Sequence, residues 1–399
     1  ILSATVEVAD YAKDGRIRAV AVVDNVGNGS NTMLWSTDPQ HYTVFEDLNA
    51  FYEKVYEYIG EEYLAGRAAY AITTGDLVDD SPTSANAEKQ WKIADKAIQL
   101  MEKTGMPNGV VTGNHDTGNY PSAIYSLYNK YFGADRYRSE AWFGGGLNDN
   151  ASHYDLITVG NIDFVVLYLG YGVEGTPETI AWANDVLQRY SHRNAILATH
   201  QYLKASTGAW DASSRAEVIY NEIVVPNENV KMLLCGHDNG AVTLKKQIGD
   251  DRVFYEILSD YQFVELEDPD FYGGNEHYIG NVAGCNGDGY IRSMTFNGNK
   301  VETKTFSPVT GGTNPFGIRD EFTITVDFEQ NDRVITTKGF TATLLGDKIA
   351  DVTAASGSKA ETAYDGDAEA WAAVIATDNG SVVTASQKFE TSAAPEKPA

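Results

Sequence analysis

Cysteine is nearly absent from this 399-residue sequence, which holds only Cys235 and Cys285. Two thiols say little about redox compartment. Cys235 lies in an apolar run ahead of Gly236-His237, so a buried free thiol is expected there, with pairing to Cys285 the lesser alternative. Basic residues are scarce as well: 30 Lys and Arg stand against 56 Asp and Glu, for a formal net charge of −26. That imbalance disfavours nucleic-acid polymers and anionic membranes as nonspecific partners, because both would be repelled. No apolar run approaches membrane-spanning length, so no membrane insertion is expected. The sequence also lacks a Gly-x-Ser-x-Gly elbow, a Gly-x-x-x-x-Gly-Lys-Ser/Thr loop and a dinucleotide fingerprint, which removes the strongest rival chemistries. After Cys285 there is neither His nor Cys, so the remainder offers no soft-metal or nucleophile chemistry.

What is present is a recurring pattern. Five short apolar runs each lead into a residue of metal-binding type: Thr32–Thr37 into Asp38, Ala69–Thr74 into Asp76, Val110–Thr112 into Asn114, Ala195–Ala198 into His200, and Val230–Cys235 into His237. Open α/β sheets bind ligands at the carboxyl ends of their strands, so five such ends converging on one site is the expectation. Carboxylate, imidazole and amide donors together suit borderline and hard divalent ions such as Mn, Zn, Fe, Mg or Ca. The lack of Cys among them argues against a closed structural zinc site. Taken singly, each has a plainer explanation: Asp38 before Pro39, Gly75-Asp76 and Gly113-Asn114 all suit tight turns, and lone histidines are often satisfied core or surface groups. Turn chemistry does not, however, account for two histidines and five run ends at once.

The motifs are Asp38-Pro39-Gln40, Gly75-Asp76-Leu77-Val78-Asp79, Gly113-Asn114-His115-Asp116, Thr199-His200 and Gly236-His237-Asp238-Asn239. In this order they resemble the calcineurin-like metallophosphoesterase family, whose pattern is Asp-x-His, Gly-Asp-x-x-Asp, Gly-Asn-His-Asp/Glu, a lone His and Gly-His-x-His. Three of the five match, over roughly residues 30 to 310. The resemblance implies that Asp76 bridges two divalent ions, that Asn114, His200 and His237 hold one, and that Asp38, Gln40 and Asn239 hold the other. Gln40 and Asn239 stand where the commonest pattern has His, which tilts that position towards oxygen-loving ions or empties it. The resemblance makes His115 a substrate-facing group that stabilises phosphate or protonates the leaving oxygen. Asp116 either orients the His115 ring or caps a following turn. His41, His153, His192 and His277 carry no motif and are read as structural.

Helical spacing marks Val44–Tyr63, Trp91–Met101 and Thr179–Tyr190, the last with Pro177 near its start. Ser152–Val159 and Ile162–Leu169 read as a hairpin about Gly160-Asn161. The expected fold is α/β: a two-sheet α/β sandwich with helices outside, the stretches 152–169 and 241–306 furnishing its second sheet, plus a small C-terminal all-β domain resembling immunoglobulin or fibronectin type III sandwiches. Expected domains are 1–319 for the phosphoesterase, 320–391 for the β domain and 392–399 for a linker, with Glu321–Phe328 in the catalytic domain as the alternative. Residues 1–30 supply two strands, Ala4–Ala9 and Arg16–Asp24, that either edge the catalytic sheet or end a preceding domain. The aromatic-rich insertion 119–150 either overhangs the site or packs as an ordinary loop.

The expected activity is hydrolysis of a phosphate ester, diester or monoester and nucleotide-type among the options, by in-line attack of a metal-bound hydroxide, with two divalent ions as cofactors. A small phosphorylated substrate is the expected partner, since bound cations reverse the local sign of charge. The rival from another class is a catalytically weakened cell-surface binding module on the same scaffold. A one-ion enzyme lies between them. The β domain and its linker point to a secreted or cell-surface protein, with cell-wall or surface attachment through further domains. Ile1 in place of Met, with no visible signal peptide, is the pattern of a processed or trimmed chain.

Overall fold

The computed structural model describes residues 29–118, 122–263 and 287–330, together with backbone strands at 18–22 and between 339 and 389. Ala4–Ala9, Cys285, His277 and Ser392–Ala399 lie outside the described residues. The chain divides into two units, Gly27–Asp332 and the combination of Ile1–Val26 with Arg333–Ala399. The first strand, β1 (Arg18–Val22), belongs to the latter.

The larger unit begins as alternating strand and helix. β2 (Thr32–Ser36), α1 (Asn49–Leu64), β3 (Tyr70–Thr73), α2 (Ala87–Glu102) and β4 (Asn108–Val110) follow one another, and the three strands pair in parallel. A parallel pair needs a crossover, and these helices provide it. Tyr52, Val55, Tyr56 and Ile59 of α1 share a buried cluster with Trp91, Ala94, Ile98 and Met101 of α2 and with Leu34, Ala71 and Val110 of the strands. The i, i+3, i+4 spacing thus covers one sheet face.

Three short helices follow: α3 (Asn114–Thr117), α4 (Ser126–Phe132) and α5 (Ala134–Tyr137). Described aromatics of this insertion serve packing: Tyr128 and Phe132 are buried, with ring centroids 6.2 and 6.0 Å from Trp91. β5 (Phe143–Leu147) then pairs with the hairpin of β6 (Ser152–Val159) and β7 (Ile162–Leu169). α6 (Pro177–Arg189) starts where Thr176 Oγ1 accepts the Thr179 N–H at 3.2 Å and Pro177 fills a first-turn position needing no N–H donor. It leads into β8 (Asn194–Thr199), two two-residue strands β9 (Leu203–Lys204) and β10 (Ala209–Trp210), and α7 (Ala216–Ile219). β11 (Val230–Cys235), β12 (Gly240–Ile248) and β13 (Arg252–Asp260) complete a seven-stranded sheet ordered β12-β13-β11-β8-β7-β6-β5. Cys235 is a buried free thiol within it.

The remaining strands are β14 (Ile291–Asn297), β15 (Lys300–Phe306) and β16 (Phe322–Thr325), which join the first three in a six-stranded sheet ordered β16-β15-β14-β2-β3-β4. The stretch 241–306 is therefore shared between the two sheets rather than belonging to the second alone. The sheets face one another: Phe164 of β7 meets Phe296 of β14 at 5.2 Å, and Tyr70 and Tyr168 join hydroxyls at 2.8 Å. Helices cover the outer faces, so the larger unit is the two-sheet α/β sandwich that the motifs imply.

The division between units falls at 332/333 rather than 319/320. β16 pairs with β15, and Phe328 packs 5.5 Å from Phe164, so Phe322–Phe328 completes the larger unit. Among its described residues the smaller unit is all β, containing β17 (Gly339–Leu345), β18 (Ile349–Ala354), β19 (Ser358–Asp365), β20 (Ala370–Thr377) and β21 (Ala385–Phe389). Its sheets run β1-β17-β20-β19 and β18-β21. β1 pairs antiparallel with β17, and so edges this sheet and not the catalytic one.

Candidate metal centre

Six strand ends of the larger unit meet at one rim. Asp38 follows β2, Asp76 follows β3, Asn114 opens α3 after β4, His200 follows β8, His237 follows β11, and Asp260 ends β13. Asp38, Asp76 and His237 all adopt left-handed backbone angles, with φ of 51, 53 and 74°. Such angles cost non-glycine residues energy and concentrate at functional sites. Two glycines make the approach possible: a Cβ on Gly113 would strike the Asp76 carboxylate, and one on Gly236 would strike Thr37 and Asp38.

The ligand atoms of Asp76, His200 and His237 all lie within 4.8 Å of one another. Their hydrogen-bond bookkeeping is the informative part. His200 Nδ1 lies 2.8 Å from the Thr74 carbonyl, which can only accept, so Nδ1 carries a proton. Nε2 then faces Asn114 Oδ1 at 3.0 Å, His237 Nδ1 at 3.2 Å and Asp76 Oδ2 at 3.3 Å. A proton on Nε2 satisfies one of these lone pairs, whereas a divalent cation at the centre satisfies all four groups. The Thr74 bond also fixes the tautomer and ring orientation, as carbonyls behind ligating histidines commonly do. The residues present fit a divalent ion.

Electrostatics agree with that geometry. Burial would raise Asp76, but His200, His115 and His237 bring its carboxyl down to about 2. Burial would lower His200, yet Asp76 and Asp38 hold it up at about 10. His237 goes the other way, lowered to about 4 by burial and by the neighbouring His200, which keeps a lone pair available. Burial and then Asp260 push Asp38 well above the usual carboxylate range.

The second group of expected ligands is arranged less regularly. Both Asp38 oxygens accept the His237 backbone N–H at 3.1 Å, and Asp38 lies outside the tight cluster. Gln40 donates from Nε2 to Asp76 Oδ2 at 3.3 Å, while its Oε1 is buried without a partner. Asn239 is half-buried on the loop before β12.

His115 sits at the mouth, its side chain 37% exposed, with Nε2 4.0 Å from Asp76 Oδ2. Its Nδ1 donates to the Asp79 carbonyl at 2.5 Å. Burial would lower its pKa, but Asp76 and the Asp79 carbonyl raise it. Asp116 does not orient this ring. One of its oxygens accepts the N–H groups of Leu77 and Val78 at 2.8 and 3.1 Å, and the other accepts that of Gly113 at 2.7 Å. It ties the loop after β3 to the loop after β4, and burial with Asp76 nearby raises it to about 7. The His115 ring is fixed instead by Asp79, the last residue of the Gly75–Asp79 motif.

Sequence reasoning missed Asp260 and Gln262. Asp260 accepts from Gln262 N and Nε2, each at 2.9 Å, and Gln262 Oε1 accepts from Gln40 at 2.5 Å. Asp260 lacks the flanking Gly and His that marked the other run ends, although it does close the apolar run Phe254–Ser259. Tyr42 and Tyr202, near motifs in sequence, are buried: the Tyr42 hydroxyl accepts from Gly289 N at 2.7 Å, and Tyr202 donates to Glu256 at 2.8 Å. Tyr120 lies outside the described residues.

The profile of the family described as calcineurin-like phosphoesterase matches residues 36–240, which contain every expected ligand. The chain belongs to that family, the metallophosphoesterases. Among curated proteins it is 33% identical over 354 residues to the uncharacterized protein YvnB of Bacillus subtilis (strain 168), covering 85% of this chain and 25% of that one. The chain thus spans about a quarter of the length of the curated relative it matches. Among solved structures it is similar to a dimetal phosphatase from Danio rerio, at 12% identity and TM-score 0.46 over 76% of this chain and 99% of the other. It is also similar to the purple acid phosphatase PPD1 of yellow lupin, at 12% identity and TM-score 0.46 over 75% and 55%.

Proposed function

We propose that this chain hydrolyses phosphoric esters in a divalent-metal-dependent reaction, with two ions as its full complement drawn from Mn, Zn, Fe, Mg or Ca. The observation that carries the reading is the convergence of four lone-pair groups, from Asp76, Asn114, His200 and His237, on one point at the carboxyl ends of the strands. When bound, divalent ions supply activation of a water and neutralisation of phosphate charge. Asp76 lies between the His200 side and the Gln40 side of the rim, as a bridging ligand must. His115, with Nδ1–H committed to a carbonyl, offers an Nε2 proton to the leaving oxygen of the ester in its cationic form, which Asp76 and the Asp79 carbonyl favour. Its exposure places that proton where a small substrate can reach it.

Monoester and diester, nucleotide-type esters included, are both compatible with this rim. An all-β accessory unit supports placing the protein outside the cell or on its surface, with further domains providing attachment; fractionation of the producing cell checks this.

The test is hydrolysis of mono- and bis-p-nitrophenyl phosphate after chelation, with each of the five ions added back. Turnover is expected only with added metal, and Asp76→Asn is expected to abolish it without unfolding the chain. Turnover in chelator, or none with any ion, removes the reading. Unchanged binding of a phosphorylated ligand by an inactive, metal-free chain would favour the binding module instead.

A further inference from the structure

The rim carries more buried carboxylate than the His-rich half-site accounts for. Asp38, Asp76 and Asp260 are all essentially inaccessible, and among the described residues no lysine or arginine lies within 4.0 Å of any of their oxygens. His200 and His115 approach Asp76, which leaves Asp38 and Asp260 with no cationic side chain within 4.0 Å. Buried charges of one sign are expensive unless something positive sits among them.

A continuous chain of hydrogen bonds runs through this acidic side. Asp260 grips Gln262 twice, Gln262 Oε1 takes the Gln40 amide, and the same amide reaches Asp76. Gln262 therefore fixes which way the Gln40 carboxamide faces. The other atom of that carboxamide, Oε1, is fully buried and has no hydrogen-bond partner. An orphaned carbonyl oxygen at such depth is costly unless a ligand meets it. Strand register sets Asp260 of β13 opposite Gly240 of β12, the residue immediately after the expected ligand Asn239.

We propose that Asp260 and Gln262 belong to an all-oxygen cation position shared with Asp38, Asp76 and Gln40, Gln262 holding Gln40 in place and Asp260 adding charge. It rests on the metal-dependent reading above and extends it to residues outside the sequence motifs. Carboxylate and carboxamide oxygens without imidazole suit Mn, Mg or Ca better than Zn, in contrast to the neighbouring position with two histidines.

Ion content and affinity, not turnover, decide the matter. The full chain is stripped with chelator, dialysed, and titrated with MnCl2 and separately with ZnCl2, with bound ions per chain measured by elemental analysis. The intact protein is expected to bind two Mn ions, with Asp260→Asn and Gln262→Ala each weakening the second by at least tenfold and leaving the first unchanged. A second Mn bound as tightly in both variants as in the parent overturns the proposal. One Mn in the parent also overturns it while leaving a one-ion phosphoesterase intact, and no ion of either kind removes the metal reading itself. Should Asp260→Asn not fold, Gln262→Ala, which keeps the carboxylate, decides alone.

Discussion

His153 shows what burial alone does to a titratable side chain. It lies on β6 with its ring stacked 4.3 Å from Tyr168, its Nδ1 lacks a partner, and desolvation lowers its pKa to about 3. Unfolded, the same imidazole titrates near its ordinary value of about 6.5. Between those two values the unfolded chain binds a proton that the folded chain refuses, so stability falls as pH drops through this window. In excess chelator, the urea midpoint of the parent is expected to fall between pH 7 and pH 5, and His153→Phe is expected to flatten that fall. Equal slopes in both proteins would show that the histidine is not held neutral. At this scale the sequence was legible where residue type and neighbours coincide, as at Asp76, Asn114, His200 and His237. It was not legible where the decisive partner is a backbone group. Nothing in Asn114-His115-Asp116 announces that Asp116 reaches the amides of Leu77, Val78 and Gly113 while His115 turns to the carbonyl of Asp79.

Between elements, Asp116 acts as a tie that sets the spacing of two strand ends. Asp116→Ala leaves the Leu77, Val78 and Gly113 N–H groups without their acceptor in a buried setting, at a cost of about 1–3 kcal/mol or more. Because these loops present Asp76 and Asn114, the change is also expected to weaken metal binding by about 10–100-fold, the usual range for groups that support ligands. Denaturation in chelator measures the first effect and metal titration the second. A variant that loses stability yet keeps full metal affinity would show that the loops hold their spacing without the tie. Helices were readable from periodicity, since α1, α2 and α6 each bury one face against a sheet, and the hairpin from its Gly160-Asn161 turn, β6 and β7 being buried on both faces. Val44 was included in the first helical stripe, but it is 41% exposed and the regular helix starts only at Asn49. The assignment of β12–β13 and β14–β15 to different sheets was not readable. It depends on pairing between segments far apart in sequence, and alternating apolar residues carry no label for the partner strand.

For the molecule as a whole, the unit boundary is open to a direct test. Removing everything after residue 332 and before residue 27 is expected to leave a cooperatively folding catalytic unit. Ending the same piece at 319 removes β16 and Phe328, baring the edge of β15 and the ring faces of Phe164 and Phe296. The loss of one buried phenylalanine alone is worth about 1.5–3 kcal/mol. The shorter piece is therefore expected to melt lower or aggregate, as thermal scans with light scattering would record; equal melting of the two would return Phe322–Phe328 to the smaller unit.

The place of β14 has a bearing on biosynthesis. It lies between β15 and β2, with Met294 opposite Met33. At roughly 5–20 residues per second, a ribosome takes about 13–50 s to travel between those two methionines. Until Met294 emerges one side of β2 stays bare, and within its sheet the loop bearing Asp38 is flanked by β3 alone. The nascent chain can pre-form its helices early, but the catalytic rim closes only after nearly the whole unit has emerged.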